Sequence, residues 1–424
     1  MEQNNNSSKS INDMLPPELI TQILLRLSVK HLGRVKSVSK FWNNLISNPN
    51  FAKSHFELSL APTHRCIFIP EVTTDHRSID LDALSHATYA DAAAATITKI
   101  PPSPAAADID SDPDYDDHIV LGSCRGFIAL YQYPHFFVIW NPLTGSHRII
   151  SCHHIAKISD MATNCYYSFG GELLFGFGYD TTRDDYLIVL AWNDEKKNQE
   201  GHFDFFSLRS NSWSSFKEDV IIPDQLKRRK KWAPSVFFNG AIHWLNHDGD
   251  YDAIVTIFVF DTNKRKGFLE IPVPEQVGRY YPCHLTVLGG CLALYYEKDD
   301  DDYDKSVIWV MKEYNVQSSW TSYEIPSSYF EPVCLSEDGD FIGFDESPGM
   351  SKYNVRGELL MRFDRSCNQI GYVSYSVYTE SLLILPNDGS EEKEGYVTLV
   401  FHAFLCAILA LLISLYAIMM DEVF

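Results

Sequence analysis

The stretch Trp140-Asn141-Pro142-Leu143-Thr144-Gly145 closes an apolar run with an aromatic residue and then enters a polar turn. The same arrangement recurs at steps of 66, 54, 54 and 39 residues, at Phe206, Phe260, Tyr314 and Tyr353. A glycine followed by an apolar run precedes each unit, at Gly126, Gly176, Gly240, Gly290 and Gly339. Repeats of short strands at this spacing are typical of propeller blades, so the sequence predicts an all-β propeller of roughly six to eight blades. An array of two-sheet sandwiches is the alternative.

The composition narrows the class of partner. Of 424 residues, 45% are hydrophobic and 13% aromatic, and the aromatic share favours β-rich structure. The formal net charge is −21; residues 1–60 hold seven Lys/Arg and four Asp/Glu, a balance of +3, which leaves −24 for the remainder. A body this acidic repels a phosphate backbone, so we expect no nucleic acid partner. Nine scattered cysteines and a polar N-terminus without an apolar leader predict a cytoplasmic or nuclear protein.

The region after the polar tail at residues 1–12 has helical spacing. Pro16-Pro17 opens a first helix, with apolar residues at three- and four-residue steps at Leu15, Leu19, Ile23, Leu24 and Leu27. We expect a second helix from near His31 to Pro49, with its buried side formed by Leu32, Val35, Val38, Trp42, Leu45 and Ile46. About 45 residues are too few to build a robust core alone. The apolar stripe therefore needs a partner surface, either the following domain or another protein.

Two parts of the chain carry a family resemblance. The runs Leu15–Lys30 and Arg34–Phe51, continued by His55-Phe56, resemble the F-box over about 40 residues. The body resembles the kelch-like F-box-associated interaction domain of plant F-box proteins, in the segments Gly122–Gly126, Trp140–Thr144, Gly176–Asp180, Asn239–Trp244 and Trp309–Tyr314. The expected organisation is a multidomain α + β chain with an F-box at 13–57 and a substrate-recognition domain at 58–390. The Ala/Asp/Pro-rich residues 80–117 are expected to form a mobile loop.

The resemblance implies a function that composition does not show. An F-box binds a Skp-type adaptor, and through it a cullin, within a ubiquitin ligase, while the attached domain captures a protein substrate. It implies a non-catalytic subunit without a cofactor, whose adaptor-facing residues are Leu15, Pro16, Leu19, Ile23, Leu24, Leu27, Val35 and Val38. The chain departs from the family at Ser28, Gly33 and Ser39, where Pro, Leu and often Cys are usual. A ligase-independent scaffold with a degenerate F-box is therefore the alternative, and a propeller enzyme is a third reading for which we find no residue set.

Other motifs favour structural roles. Gly122-Ser123-Cys124-Arg125-Gly126 places Cys, not Ser, at the centre of the glycines, which indicates a tight strand turn and not a nucleophile elbow. Cys152-His153-His154 with Cys165 lacks a second ligand pair for zinc, and Asp299–Asp302 lacks the alternation of a calcium loop. Lys227–Lys231 is either a nuclear-import signal, a blade-connecting loop or a patch for an acidic substrate. Trp244 and Trp309 are expected to be packing residues.

The C-terminal segment is apolar. Residues 397–420 contain no charged side chain, and as a helix of 24 residues they would span about 36 Å, enough to cross a bilayer. We expect a transmembrane tail anchor with the body in the cytosol. A buried helix, or an artefact of the gene model, is the alternative.

Overall fold

The computed structural model describes residues 15–58, 64–70, 77–86, 98–99, 118–132, 136–152, 173–194, 200–216, 235–246, 255–265, 267–277, 283–298, 305–345, 349–363 and 373–386. Within these residues, six four-stranded antiparallel sheets follow a group of four helices. Each sheet is one blade of a propeller.

In five blades, four consecutive strands pair in chain order. Blade 2 contains β4 (His118–Cys124), β5 (Phe127–Gln132), β6 (Phe136–Trp140) and β7 (His147–Ser151). Blade 3 contains β8 (Leu173–Asp180), β9 (Asp185–Asp194), β10 (Glu200–Ser207) and β11 (Ser212–Ser215). Blade 4 contains β12 (Val236–Phe238), β13 (Ala241–Asn246), β14 (Thr256–Asp261) and β15 (Leu269–Pro272). Blade 5 contains β16 (Cys283–Leu288), β17 (Cys291–Lys298), β18 (Lys305–Met311) and β19 (Trp320–Ile325). Blade 6 contains β20 (Phe330–Leu335), β21 (Phe341–Asp345), β22 (Met350–Tyr353) and β23 (Leu359–Arg362).

Blade 1 joins two distant parts of the chain. It contains β1 (His64–Pro70), β2 (Arg77–Asp80) and β3 (Thr98–Lys99), and its inner strand is β24 (Val373–Thr379). β24 pairs with the whole of β1, from His64 opposite Thr379 to Pro70 opposite Val373. Six apolar clusters lie between successive blades, including the interface between blade 6 and blade 1. The pairing joins the two ends of the propeller in one sheet, and the last cluster packs that sheet against blade 6. Together they close the ring.

The repeat predicted from the sequence is confirmed, and the sandwich alternative is wrong. Trp140, Phe206, Phe260 and Tyr353 lie at or near the end of the third strand of their blades, and Tyr314 follows the third strand of blade 5. Gly126, Gly240, Gly290 and Gly339 lie in the turn between first and second strands, three of them beside a residue of positive φ. Gly176 differs because it lies inside β8, where an added Cβ would come within 2.7 Å of Ile242 and Trp244 of the next blade.

The motif that begins at Trp140 also holds the C-terminal end of the propeller in place. Asn141 is fully buried, and its side-chain amide donates to the carbonyl oxygens of Ser381 and Leu383 at 3.0 and 2.9 Å. Leu383 and Leu385 are buried in the same cluster as the inner strands of blade 2. Residues 380–385 are therefore part of the compact unit formed by residues 1–385.

The N-terminal region forms four helices, α1 (Pro17–Leu24), α2 (Val29–Val35), α3 (Lys40–Ile46) and α4 (Pro49–Leu58). The single second helix predicted to run from His31 to Pro49 is wrong. Ser39 interrupts it as the N-cap of α3, since its Oγ accepts a hydrogen bond from the Trp42 N–H at 3.2 Å. Pro49 begins α4, where its missing N–H costs nothing. Val38, predicted on the buried side, is 63% exposed.

The predicted loop at 80–117 is wrong in part. Residues Leu81–His86 form the short helix α5, which buries Leu81 and Leu84, and Thr98–Lys99 pairs with β2. Residues 87–97 and 100–117 lie outside the described part of the chain, as do residues 397–420. No helix of the described residues is long and apolar enough to cross a membrane.

Candidate functional site

The helical region has two apolar faces that meet different surroundings. Ile20 and Leu24 of α1 are 2% and 0% exposed and pack in the cluster shared with the propeller. Leu19 and Ile23 lie on the same helix, one turn apart, and each is 51% exposed. Val38, in the turn between α2 and α3, and Phe41, in α3, are also exposed. We call Leu19, Ile23, Val38 and Phe41 the outer face; it leaves large apolar side chains in water on a segment that otherwise packs well.

The residues predicted to face an adaptor therefore divide into three groups. Leu19, Ile23, Val38 and Pro16 are exposed, and Leu15, Leu27 and Val35 are half-buried against the core. Leu24 is fully buried, so in this structure it supports the outer face from beneath and does not lie on it. Phe41, 38% exposed, was not among the predicted residues. It directly follows the capped start of α3, a helix boundary that the sequence analysis placed elsewhere.

The departures from the family pattern have local explanations. Ser39 caps α3, and Ser28 is the N-cap residue of α2, with its Oγ 2.7 Å from His31 Nδ1. Gly33 is exposed in α2, and an added Cβ would meet no atom within 4 Å. None of the three therefore disrupts the described helices.

The opposite side of the helical region is held by the propeller. Lys53 of α4 forms an ion pair with Asp184 at 2.7 Å, and Asp184 also accepts a hydrogen bond from Tyr179. The hydrogen bond from Lys53 is the main cause that lowers the pKa of Asp184 below its usual value. Arg125 places its guanidinium 4.6 Å from the ring centre of Phe56 and 4.2 Å from that of Tyr179. α4 is thus tied to the first-to-second-strand turns of blades 2 and 3.

These contacts identify the two rims of the ring. In an up-and-down blade, the turn after the first strand and the turn after the third strand lie on the same side. We call the side that holds Arg125, Asp184 and α4 the near rim, and α5 lies there too, since His86 is 3.5 Å from Glu337 in the blade 6 turn. The far rim is the side where the inner strands begin, at His118, Val236, Cys283, Phe330 and Val373 among others.

A cavity of about 860 Å³ lies at the centre of the ring. The inner strands of five blades line it with β4, β12, β16, β20 and β24. Asp82 and His64 lie at its near-rim end, where their side chains are 3.5 Å apart. At its far-rim end lie His284, Tyr295, Glu331 and Tyr375. The cavity is therefore a channel with a carboxylate towards each end.

Some of the remaining predicted motifs lie within the described residues, and others lie outside them. Trp244 is a packing residue as predicted, fully buried and donating from Nε1 to the Phe175 carbonyl at 2.6 Å, whereas Trp309 is half-buried and 3.4 Å from the Tyr296 hydroxyl. The Gly122–Gly126 segment contains the end of β4 and a tight turn at Arg125 and Gly126, where φ is 50° and 85°. Burial raises the pKa of the Cys124 thiol. Residues 153–172, 227–231 and 299–302 lie outside the described ranges. Within those ranges no cluster of three or more His, Cys, Asp or Glu is arranged to hold a metal.

Comparisons with known proteins agree with this architecture. A family model of the F-box domain matches residues 13–54, and one of the F-box associated beta propeller domain matches residues 96–347. An F-box/kelch-repeat protein of Arabidopsis thaliana is 27% identical over 356 residues, which cover 80% of this chain and 87% of that protein. The F-box protein CPR1 of the same plant is 26% identical over 357 residues, 76% of this chain and 78% of that protein.

Among solved structures, AztD of Citrobacter koseri aligns with a TM-score of 0.33 at 10% identity, over 71% of this chain and 81% of that one. A likeness this weak supports no comparison of function. The family matches carry more weight, because they cover the helices and most of the blades. The chain therefore belongs to the F-box proteins that carry an F-box-associated β-propeller domain, a family whose members are typically non-catalytic adaptors.

Proposed function

We propose that this protein is the substrate-recognition subunit of a Skp–cullin–F-box type ubiquitin ligase. The F-box binds a Skp-type adaptor and through it a cullin, and the propeller binds a target protein. The chain then supplies proximity and orientation, and other subunits supply the chemistry of ubiquitin transfer.

The outer face is the observation that carries the proposal. Burying a Leu or Ile side chain completely is worth about 1.5 to 3 kcal/mol, so covering the exposed halves of Leu19 and Ile23 is worth about 1 kcal/mol each. Side chains that become fully desolvated near the centre of an interface contribute most of its binding energy. The F-box match supports a Skp-type adaptor as the partner that covers this face.

The junction with the propeller supports the second half of the proposal. Because α4 is held by Lys53, Phe56 and the buried Phe51, the F-box has a defined orientation on blades 2 and 3. A substrate bound by the propeller would therefore be presented to the ligase in one geometry. The F-box, α5 and residues 380–385 all occupy the near rim, which leaves the far rim as the side for a substrate.

The test is adaptor binding by the full chain, measured by calorimetry. The variant Leu19→Ala/Ile23→Ala is expected to weaken binding by roughly tenfold or more, since both side chains are large apolar contacts. The matched control is Leu359→Ala/Leu360→Ala, which removes two leucines that are 45% and 49% exposed on blade 6. The control is expected to bind as the wild type does.

Two outcomes would count against the proposal. If the wild type does not bind the adaptor, the ligase-independent scaffold with a degenerate F-box becomes the better reading. If the wild type binds and the outer-face variant binds equally well, the adaptor uses another surface, and the role given to Leu19 and Ile23 is wrong.

We also propose a cytoplasmic or nuclear body that residues 397–420 tether to a membrane. The support is the absence of charge over those 24 residues. A tagged full chain is expected to remain in the membrane pellet after carbonate washing. Release by carbonate would contradict a spanning helix.

A further inference from the structure

The far-rim end of the central channel holds a carboxylate surrounded by phenols. Glu331, at the start of β20, accepts hydrogen bonds at Oε1 from the hydroxyls of Tyr295 and Tyr375, both at 2.6 Å. Its Oε2 accepts from the Tyr329 hydroxyl at 3.2 Å. Blades 5, 6 and 1 each contribute to this group, which therefore exists only in the closed ring. We call Glu331 with these three tyrosines the channel carboxylate.

Several other carboxylates of the propeller are paired with cations. Asp180 is bonded to Arg183 and Arg265, both at 2.8 Å. Glu380 is 3.5 Å from Arg65, and Asp340 is 3.2 Å from Lys352. By contrast, no Lys, Arg or His of the described residues forms an ion pair with Glu331. Among the described residues, its carboxylate oxygens accept hydrogen bonds from three neutral tyrosine hydroxyls.

The neighbouring histidine does not supply the missing charge. His284 stacks on Tyr295, with ring centres 5.0 Å apart, and it faces the channel. Burial lowers the pKa of His284, and the negative charge of Glu331 offsets this only in part. His284 forms no ion pair with Glu331 in the described structure, and its ring is part of the aromatic wall of the channel. Burial likewise raises the pKa of Tyr295 and Tyr375 well above the usual value, so both remain hydrogen-bond donors.

The geometry leaves room for a further donor. A carboxylate offers about four lone-pair sites, and the three tyrosines use three of them. Counting the described residues alone, the unused site is on Oε2, the oxygen with the single, longer bond to Tyr329, which is itself 47% exposed. The channel of about 860 Å³ provides space for an extended side chain beside it. The ligand that fits is a cation carrying N–H groups, because it would both neutralise Glu331 and occupy that site.

We propose that the channel carboxylate receives the lysine or arginine side chain of a protein substrate that enters from the far rim. This inference rests on the proposed function for the presence of a substrate, and it defines the chemistry of its recognition. Charge complementarity supports a protein partner with a basic segment, because the chain beyond residue 60 carries a net charge of −24 from 28 Lys/Arg and 52 Asp/Glu. The near rim, where the F-box lies, is the opposite end of the channel.

The test uses the full chain and a positional-scanning library of hexapeptides with acetylated N-termini and amidated C-termini, so that each cation comes from a side chain. The wild type is expected to select Lys or Arg at one fixed position. Replacing that residue by Nε-acetyl-lysine or citrulline should weaken binding by roughly tenfold or more. This arm needs no variant protein, so it does not depend on how a substitution folds.

The variant Glu331→Gln keeps the size of the side chain and one acceptor oxygen, and it removes the charge. It is expected to lose the preference for Lys and Arg while binding the Skp-type adaptor as the wild type does. The matched control is Glu324→Gln on the outer strand of blade 5, where the carboxylate pairs with Lys305 at the surface. That variant is expected to keep the preference.

Three results would overturn the inference. A library without any preference for basic residues would do so, as would a preference that Glu331→Gln retains. Binding of spermidine at Glu331 with no selected peptide would assign the site to small polyamines instead. Because adaptor binding is measured separately, none of these results depends on whether the outer face of the F-box acts as proposed.

Discussion

The two sides of the F-box differ in what surrounds the same kind of side chain. On the propeller side, Phe51 and Leu24 are buried, and Arg125 stacks on Phe56. On the outer face, Leu19 and Ile23 are half exposed on the very helix that buries Ile20 and Leu24. The apolar side chains on the propeller side are buried within this chain, whereas those of the outer face remain exposed to water. A short helical segment can thus be fixed to its own domain and still present a separate binding surface, provided that each helix divides its residues between the two.

The strongest test of this division is the pair of variants Leu24→Ala and Leu19→Ala. Leu24→Ala is expected to cost about 2 to 5 kcal/mol of F-box stability, because it leaves a cavity in a fully buried position. Leu19→Ala should change stability by less than about 1 kcal/mol and mainly weaken adaptor binding. Hydrogen exchange of the F-box amides measures the first quantity and calorimetry the second. Equal loss of stability in both variants would contradict two separate faces.

Moderately acidic pH is expected to destabilise the propeller while the ion pair between the F-box and the propeller persists. His243 in β13 is fully buried, its Nε2 is 2.8 Å from the Tyr314 hydroxyl, and burial lowers its pKa to about 4. The unfolded histidine, with a pKa near 6.5, takes up a proton that the folded one does not, so stability is lost as the pH falls from about 6.5 to 4. The expected cost between pH 7 and pH 5 is about 2 kcal/mol.

The ion pair of Lys53 with Asp184 should persist over that range. The pKa of Asp184 is lowered, so the pair's contribution is present above the usual carboxyl pKa and is lost only at more acidic pH. Urea unfolding at pH 7 and pH 5, compared between the wild type and His243→Gln, isolates the histidine from the other titrating groups. An unchanged pH dependence in the variant would show that His243 is not responsible.

Arg125→Asn tests the junction itself. Asparagine tolerates the positive φ of this turn, and Asn239 already occupies the equivalent turn of blade 4 with φ of 49°. The variant therefore keeps the turn and removes the guanidinium from Phe56 and Tyr179, at a cost of about 1 to 2 kcal/mol. Faster exchange of the α4 amides, with blade 5 unchanged, is the expected result. Equal protection of α4 in both proteins would show that other contacts hold the F-box.

The smallest effect is expected at Gly33. Since an added Cβ meets nothing within 4 Å, Gly33→Ala should stabilise α2 by about 0.5 to 1 kcal/mol through helix propensity alone. A higher urea midpoint with unchanged adaptor affinity would agree with this. A destabilised variant would mean that this position needs the conformational freedom of glycine.

Sequence periodicity predicted the strands and helices better than it predicted what each of them packs against. Trp140 and Phe260 revealed the blades because a strand that ends in an aromatic residue before a turn is a local signal. Leu19 and Leu24 belong to one apolar stripe in sequence, and periodicity cannot tell which of them faces the chain's own propeller. The repeat did not reveal blade 1, because β1 and β24 are separated by most of the chain. Glu331 gave no signal either, since Tyr295 and Tyr375 come from other blades that are distant in sequence.

The pairing of β24 with β1 also sets an order of events during synthesis. The ring cannot close until Thr379 has left the ribosome, and until then β1 has an unpaired edge from His64 to Pro70. The F-box helices, which come first, have by that time long been outside the exit tunnel. A nascent or truncated chain that ends before Val373 would therefore display the outer face without a finished channel. If the F-box binds a Skp-type adaptor as proposed, such a product would compete with the full chain for the adaptor. It would lack Tyr375, the blade 1 tyrosine of the channel carboxylate.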